Sequence, residues 1–323
     1  MKVMASLYVL GRASVADDVS MLTGMSRASV RDTVTTFCRK MVEDLHHVHV
    51  RLPEGDDLTE VMAQYRRKGF PGAMGSVDVT HVYWDRTPAS EHCDHTGKEG
   101  KPTLAYQAIV DFTRRVLANS DGFAGAENDK TISRHDEALE VIREKEPYTT
   151  ERFELYDADG TKQERHGLYV ICDGGYLKWP MMQCPMKTPG TVEAAAFSKQ
   201  LESVRKDVEC FFGILKGRFR FLKSAVLYHK KDFIDDVFSA CCVLHNILHA
   251  WDGLAELEPD TDWGGADGVP EGGAGPQAES PGPGDGGEDV EGASTEDQAR
   301  FYERREQLVT NFTWMKARNE VKW

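Results

Sequence analysis

Residues 69–84 read GFPGAMGSVDVTHVYW, and this stretch predicts the first strand of a sheet. Its second part, residues 75–84, is rich in the β-branched and aromatic side chains that fit a pleated, half-buried surface. Asp78 is unusual there, because aspartate is depleted in strands. Val77 and Val79 point to one face and Asp78 to the other, so its carboxylate projects from the sheet. The alternative is a strand-end aspartate that only accepts backbone hydrogen bonds.

Further elements follow this strand in an order typical of an α/β domain. Strands at residues 105–111 and 116–123 form a hairpin through FTRR, a helix follows at about residues 131–145, and FELYDADGTKQER predicts a second hairpin. An apolar strand at residues 168–172 precedes a mainly helical remainder. Three sequential strands, a helix, another strand and then helices predict a mixed sheet, compatible with an RNase H-like core.

Asp173 closes the apolar strand. It follows YVIC at residues 169–172 and precedes Gly174 and Gly175. Functional groups in open α/β sheets gather at the carboxyl ends of strands, and two glycines permit close backbone approach. An ordinary Asp-Gly turn is the alternative.

Two further acids are placed by helices. Glu209 lies on a predicted helix at residues 203–222 and shares its face with Arg205 and Lys216. A basic face around one acid suits a phosphate backbone, and an exposed ion pair with Arg205 at i, i+4 is the alternative. Asp129 precedes the helix that follows the first hairpin, so an N-cap is its first interpretation.

Residues 1–60 are predicted to form a helical module. Ser26 is the expected N-cap of a helix after a turn at residues 23–26, and this spacing is typical of a helix-turn-helix that contacts DNA. A helical cap that only packs on the main domain explains the pattern equally well. The apolar positions at helical spacing are Val15, Val19, Leu22, Val30, Val34, Phe37 and Met41.

The negative charge of the chain is concentrated in one segment. The net charge is −14, but residues 252–297 hold 14 acids and no lysine or arginine, so the remainder carries 39 acidic and 39 basic residues. The Gly- and Pro-rich insert at residues 252–293 has too few bulky apolar side chains to offset ordering entropy, which predicts disorder. The net charge therefore does not argue against nucleic acid binding.

The last part of the chain, residues 294–323, is predicted to be a helix that docks on the body. Ser294 is its expected N-cap. Its apolar stripe consists of Phe301, Leu308, Val309, Phe312 and Met315.

Cysteine usage and hydropathy indicate the compartment. Seven cysteines without a repeating spacing fit a reducing compartment better than a disulfide framework. The most apolar stretch near the C-terminus, residues 237–251, is too short and too polar to span a bilayer. We therefore expect an intracellular protein without a membrane helix.

Five sequence blocks, taken in order, resemble the PIF/Harbinger transposases and the nucleases derived from them. The similarity covers about residues 69–251, and five blocks in order are far more specific than any one of them. The resemblance implies an RNase H-like nuclease domain at residues 69–251. The blocks are GFPGAMGSVDVTH (69–81), FAGAEND (123–129), YVICDGGYLKWP (169–180), SVRKDVECFFGILKGRF (203–219) and FSACCVLHNIL (238–248).

The same resemblance implies a set of catalytic acids and a metal. It places the family's catalytic acids on Asp78, Asp173 and Glu209, and a further metal-binding acid on Asp129. Two Mg²⁺ or Mn²⁺ ions neutralise charge on the attacking and leaving oxygens of a phosphodiester, and Mg²⁺ prefers hard carboxylate oxygens. The chain departs from many relatives at Leu177, where they have proline, and in the acidic insert.

A basic stretch at residues 199–231 carries nine basic against three acidic residues. Such a stripe is the expected footprint of phosphate contact, whereas an ordinary solvated helix explains the charge less well. The candidate DNA-binding residues are Arg205, Lys206, Lys216, Arg218, Arg220 and Lys223.

Together these features predict a transposase or transposase-derived endonuclease that cuts DNA and joins strands. The resemblance implies DNA and a Myb-like accessory protein as partners and function in the nucleus reached through that partner, with the cytoplasm as the alternative. A homo-oligomer is a further expectation, although the sequence does not fix the oligomeric state. The alternative is a domesticated scaffold protein of DNA or chromatin complexes that keeps the fold without the chemistry.

Overall fold

A mixed sheet forms the centre of the computed structural model, which describes residues 1–253 and 293–321. The strands are β1 (Ala73–Tyr83), β2 (Thr103–Val110), β3 (Val116–Asn119), β4 (Phe123–Ala124), β5 (Arg152–Tyr156), β6 (Lys162–His166), β7 (Tyr169–Ile171) and β8 (Met182–Gln183). The strand order of the sheet is β3-β2-β1-β7-β8, and β4 also pairs with β2. Strands β1, β2 and β3 are antiparallel, whereas β7 is parallel to β1 and β8 is parallel to β7. Strands β5 and β6 form a separate hairpin.

Helices cover this sheet, and the longest of them, α9 (Val192–Arg218), packs against β1, β2 and β7. No helix of the described residues is both long and apolar enough to cross a membrane. The helices are α1 (Lys2–Arg12), α2 (Ala16–Thr23), α3 (Arg27–Met41), α4 (His47–His49), α5 (Gly55–Arg67), α6 (His92–His95), α7 (Asp129–His135), α8 (Glu137–Glu144), α9 (Val192–Arg218), α10 (Lys231–Trp251) and α11 (Thr295–Ala317).

The predicted mixed α/β class is confirmed, but two predicted elements are interrupted. The strand expected at residues 116–123 splits into β3 and β4. At Ser120, the side-chain hydroxyl accepts the hydrogen bond from the Gln107 backbone amide at 2.9 Å, and regular pairing between the strands is interrupted there. The helix expected at residues 131–145 splits into α7 and α8. Asp136 between them has extended backbone, and its carboxylate caps the Leu139 amide at 2.8 Å.

The N-terminal helices form the expected packed group. The Ser26 hydroxyl caps α3 by accepting a hydrogen bond from the Ser29 amide at 3.1 Å, which confirms the predicted N-cap. Val19 of α2 is fully buried, but Val15 and Leu22 are 52% and 64% exposed, so the predicted stripe is wrong there. Helix α2 has only eight residues, and Val19 is its one buried side chain.

Helix α11 docks on the body as predicted. The Ser294 hydroxyl accepts from the Asp297 amide at 3.0 Å and caps the helix. Phe312 stacks on Phe70 with ring centroids 6.1 Å apart and meets Phe197 edge-on at 5.9 Å. The expected acidic insert, residues 252–293, lies almost entirely outside the described residues.

The β5–β6 hairpin contacts the same helix. Gly160 has a left-handed φ of 84° in the predicted Asp157–Gly160 turn, and an added Cβ would overlap the Trp314 ring of α11. Glycine is therefore needed for the turn and for the close approach.

Phe312→Ala should reduce the free energy of unfolding by about 3–5 kcal/mol, because it removes a fully buried ring between two others. Urea denaturation followed by circular dichroism measures this loss. Met21→Ala is the control, since Met21 is 87% exposed and its loss should change stability by less than about 0.5 kcal/mol. A loss below about 1 kcal/mol for Phe312→Ala would show that α11 is not part of the cooperative core.

Candidate active site

The pairing of β1 with β7 brings Asp78 and Asp173 together. The two strands are parallel, and Ser76 lies opposite Ile171. Asp78 and Asp173 each follow two residues later, so the register places them side by side and on the same face. Strand β7 ends at Ile171, and Asp173 therefore extends from the carboxyl end of one strand beside the middle of the other.

Asp129 joins this pair at Gly175. Asn128, and not Asp129, is the N-cap of α7, because its side chain accepts from the Thr131 amide at 2.9 Å. The carboxylate of Asp129 is therefore not used as the helix cap and lies beside the turn at Gly175. A Cβ on Gly175 would lie 2.8 Å from Asp129 Oδ2 and 3.1 Å from Asp173 Oδ1, so the missing side chain leaves room for both carboxylates.

These carboxylates share a partly dehydrated environment. The pKa of Asp78 is raised to about 7, first of all by burial; the Val79 amide and Arg205 oppose this shift, and the charges of Asp173 and Asp129 add to it. Burial also raises the pKa of Asp129, with the charge of Asp173 as the second cause. Desolvation and like charges both disfavour ionised carboxylates. A cation at this edge would relieve both penalties.

Glu209 reaches the same region only through Arg205. The Arg205 guanidinium lies 2.7 Å from Glu209 Oε1 and 3.2 Å from Asp78 Oδ2. The ion pair that the sequence left as an alternative for Glu209 is therefore present. It is not an ordinary surface pair, because its arginine side chain is only 11% exposed and also contacts a catalytic candidate on β1.

Tyr176 is a member of the site that sequence reasoning missed. Burial raises the pKa of its hydroxyl, and the charges of Asp78, Asp129 and Asp173 raise it further. The hydroxyl oxygen is buried and has no hydrogen-bond partner among the described residues. Tyr176 lies within the quoted block YVICDGGYLKWP, but no spacing or charge pattern marks it as facing acids.

The four acids lie in one region, but their carboxylates do not meet at one point. Within residues 1–253 and 293–321, no three histidine, cysteine, aspartate or glutamate side chains stand close enough to hold a metal ion as they are arranged. Asp78 and Glu209 face Arg205, whereas Asp129 and Asp173 face the backbone at Gly175. Side-chain rotation is needed to bring the four carboxylates to one point.

The six candidate DNA-binding residues divide into two groups. Lys206, Arg220 and Lys223 are exposed. Lys216 instead donates to the His81 carbonyl at 2.8 Å, and burial lowers the pKa of its ammonium group to about 8. The other two are engaged by acids, Arg205 as described and Arg218 with Asp252 at 3.0 Å.

Comparison with known proteins places the chain in a class of mobile-element proteins. The family model described as plant transposon protein matches residues 47–253, which is more than half of the chain. The chain therefore belongs to the plant transposon protein family. The resemblance to Harbinger transposases and the nucleases derived from them is confirmed by this match and by the relatives.

The relatives carry corresponding names. "Protein ALP1-like" of Arabidopsis thaliana is 22% identical over 251 residues, which cover 76% of this chain and 60% of that protein. "Putative nuclease HARBI1" of Xenopus laevis is 23% identical over 272 residues, which cover 81% of this chain and 73% of that protein. The Homo sapiens protein of the same name is 21% identical over 254 residues, covering 76% and 66%. No solved structure matches the chain.

Asp129→Asn should stabilise the protein in EDTA at pH 8. Because the folded-state pKa of Asp129 is raised, its contribution to stability is full below the unfolded pKa and is lost as pH rises through the folded one. Wild type should therefore lose stability relative to the variant as the pH rises above about 4, the usual pKa of aspartate. Thermal unfolding of both proteins at a series of pH values up to pH 8 measures the difference. A variant less stable than wild type at pH 8 would contradict the assignment of Asp129 to a repelling cluster.

Proposed function

We propose that this protein is a transposase-type DNA endonuclease that cuts phosphodiester bonds and joins strands with divalent cations. The cations would be held by Asp78, Asp129, Asp173 and Glu209. The observation that carries the proposal is the placement of Asp173, just after the end of β7, beside Asp78 on the parallel strand β1, with Asp129 against the same turn. Membership in the transposon protein family and relatives named as nucleases support it.

The sheet supports an RNase H-like core for this nuclease. Three antiparallel strands in the order β3-β2-β1 are followed by β7 and β8, both parallel to β1. This order is compatible with the RNase H-like core that the resemblance implies. Function in such sheets belongs to the site and not to the fold, so the proposal rests on the acids.

The residues present fit a hard divalent cation. All four candidate donors are carboxylates, which are the ligands that Mg²⁺ and Mn²⁺ prefer. Asp78 and Asp129 have raised pKa values, caused first by burial and then by neighbouring negative charge. The unpartnered Tyr176 hydroxyl beside them leaves hydrogen-bonding capacity for a further group. When bound, divalent cations supply the positive charge that the attacking and leaving oxygens need.

The protein's own residues would do the rest by positioning. Backbone pairing fixes the separation of Asp78 and Asp173, and the glycines after Asp173 let a phosphate approach the sheet edge. Lys216 ties α9 to β1 through the His81 carbonyl and so holds the helix that carries Glu209. The exposed Lys206, Arg220 and Lys223 would contact phosphates along the bound strand.

Glu209→Gln should reduce DNA cutting by at least about 10-fold while DNA binding remains. The substitution keeps side-chain size and helix propensity. An inverted-repeat duplex, supplied with Mn²⁺ and a Myb-like partner, is the substrate, and strand breaks and binding are measured together. EDTA should abolish cutting by wild type, and Mn²⁺ should restore it.

Arg220→Ala combined with Lys223→Ala is the matched control with the opposite expectation. Both residues are exposed and lie beyond the end of α9, the helix that carries Glu209. Their loss should weaken DNA binding and reduce its salt dependence by about one unit of slope for each phosphate contact. Equal cutting by wild type and Glu209→Gln would remove Glu209 from the site. A wild type that binds this DNA and never cuts it would favour the scaffold function instead.

A further inference from the structure

Arg205 occupies the centre of the acidic site. One guanidinium bridges three carboxylates, because Nη1 lies 3.2 Å from Asp78 Oδ2 while Nη2 lies 2.7 Å from Glu209 Oε1 and 2.9 Å from Glu202 Oε1. The arginine and Glu209 are one helical turn apart on α9, and Asp78 comes from β1. A single side chain therefore joins the helix acid to the strand acid.

Opposite charges hold this bridge together, but one nitrogen of the guanidinium has no hydrogen bond among the described residues. Burial disfavours the arginine cation, whereas Glu202, Glu209 and Asp78 favour it, and the net result is a raised pKa of the guanidinium. Its Nε is buried without a hydrogen-bond partner among the described residues. A dedicated structural arginine would be expected to use all its donors. Arg205 leaves one donor unused and contacts three carboxylates.

We propose that Arg205 is the counter-cation of the acidic site in its metal-free state, and that it competes with a divalent cation for Asp78 and Glu209. The proposal rests on the proposed function, since it takes those acids as metal ligands. The guanidinium already occupies Asp78 Oδ2 and Glu209 Oε1, which a metal ion would also use. Two cations a few ångströms apart also repel each other strongly at a partly buried site. Metal binding is therefore strengthened when Arg205 withdraws from Asp78.

Glu202 is a partner to which Arg205 can withdraw. It lies three residues earlier on α9, its side chain is 43% exposed, and it already contacts Nη2. Arg205 can keep this partner when it withdraws from Asp78 and Glu209. Metal affinity should therefore depend on both residues, in opposite directions.

Arg205→Met should bind Mn²⁺ at least about tenfold more tightly than wild type, because the competing cation is removed while the apolar stem is kept. Isothermal titration calorimetry on the full chain measures this affinity without any cleavage assay. Without metal the variant should melt at a lower temperature than wild type, and its metal-induced rise in melting temperature should be larger. Arg114→Met is the matched control, since Arg114 is similarly buried at 19% exposure and contacts Asp207 at 3.5 Å; its Mn²⁺ affinity should stay within about twofold of wild type.

Glu202→Gln supplies an independent arm if Arg205→Met fails to fold. Loss of the retreat partner should hold Arg205 on Asp78 and Glu209 and weaken Mn²⁺ binding about threefold or more. A merely structural arginine would not produce opposite shifts in these two variants.

The outcomes separate this inference from the proposed function. Wild type that binds Mn²⁺ through Asp78 and Asp173, with Arg205→Met binding equally or more weakly, would overturn the competition and leave the metal site intact. Mn²⁺ binding that appears only in Arg205→Met would support it. No binding by any variant, matching an Asp78→Asn and Asp173→Asn double variant, would overturn both.

Discussion

The parallel pairing of β1 with β7 is the constraint on which the rest of the site depends. Its register places Asp78 beside Asp173, and the turn after β7 then admits Asp129 only because Gly175 has no side chain. Two helices support the sheet that contains this pairing. Helix α9 closes over the sheet through Lys216, and α11 packs on the body through Phe312, Phe70 and Phe197.

That pairing also has an electrostatic cost. Carboxylates held together away from water repel one another and are disfavoured in their charged form, and the pKa of Asp78 is accordingly raised to about 7. A protein selected for stability alone would not collect them. Persistence of such a cluster at a strand end is typical of a functional site. Under the two proposals, Arg205 neutralises the cluster without metal, and a divalent cation would do so during DNA cutting.

Local patterns carried most of the fold prediction. Alternating strands, the β5–β6 turn and the caps at Ser26 and Ser294 depend on neighbouring residues and were confirmed. Errors arose where distant or competing groups decide. The cap formed by Asp136 divides a helix that reads as continuous, and Val15, the N-cap residue of the short helix α2, is 52% exposed.

The site was predictable as a list of acids but not as an arrangement. The sequence blocks marked Asp78, Asp129, Asp173 and Glu209, whereas the bridge from Arg205 depends on a contact across 127 residues of chain. The hydroxyl of Tyr176 likewise faces acids only after the chain has folded. Spacing along one helix predicts an i, i+4 pair, and it cannot show that a strand acid shares the same arginine.

A crystal structure of the protein grown with Mn²⁺ and measured for anomalous scattering tests the central claim most directly. We predict an anomalous peak at about 2.0–2.2 Å from carboxylate oxygens of both Asp78 and Asp173, with Arg205 withdrawn from Asp78. Density for Mn²⁺ elsewhere, or none at this edge under conditions where Mn²⁺ binds the protein in solution, would contradict it.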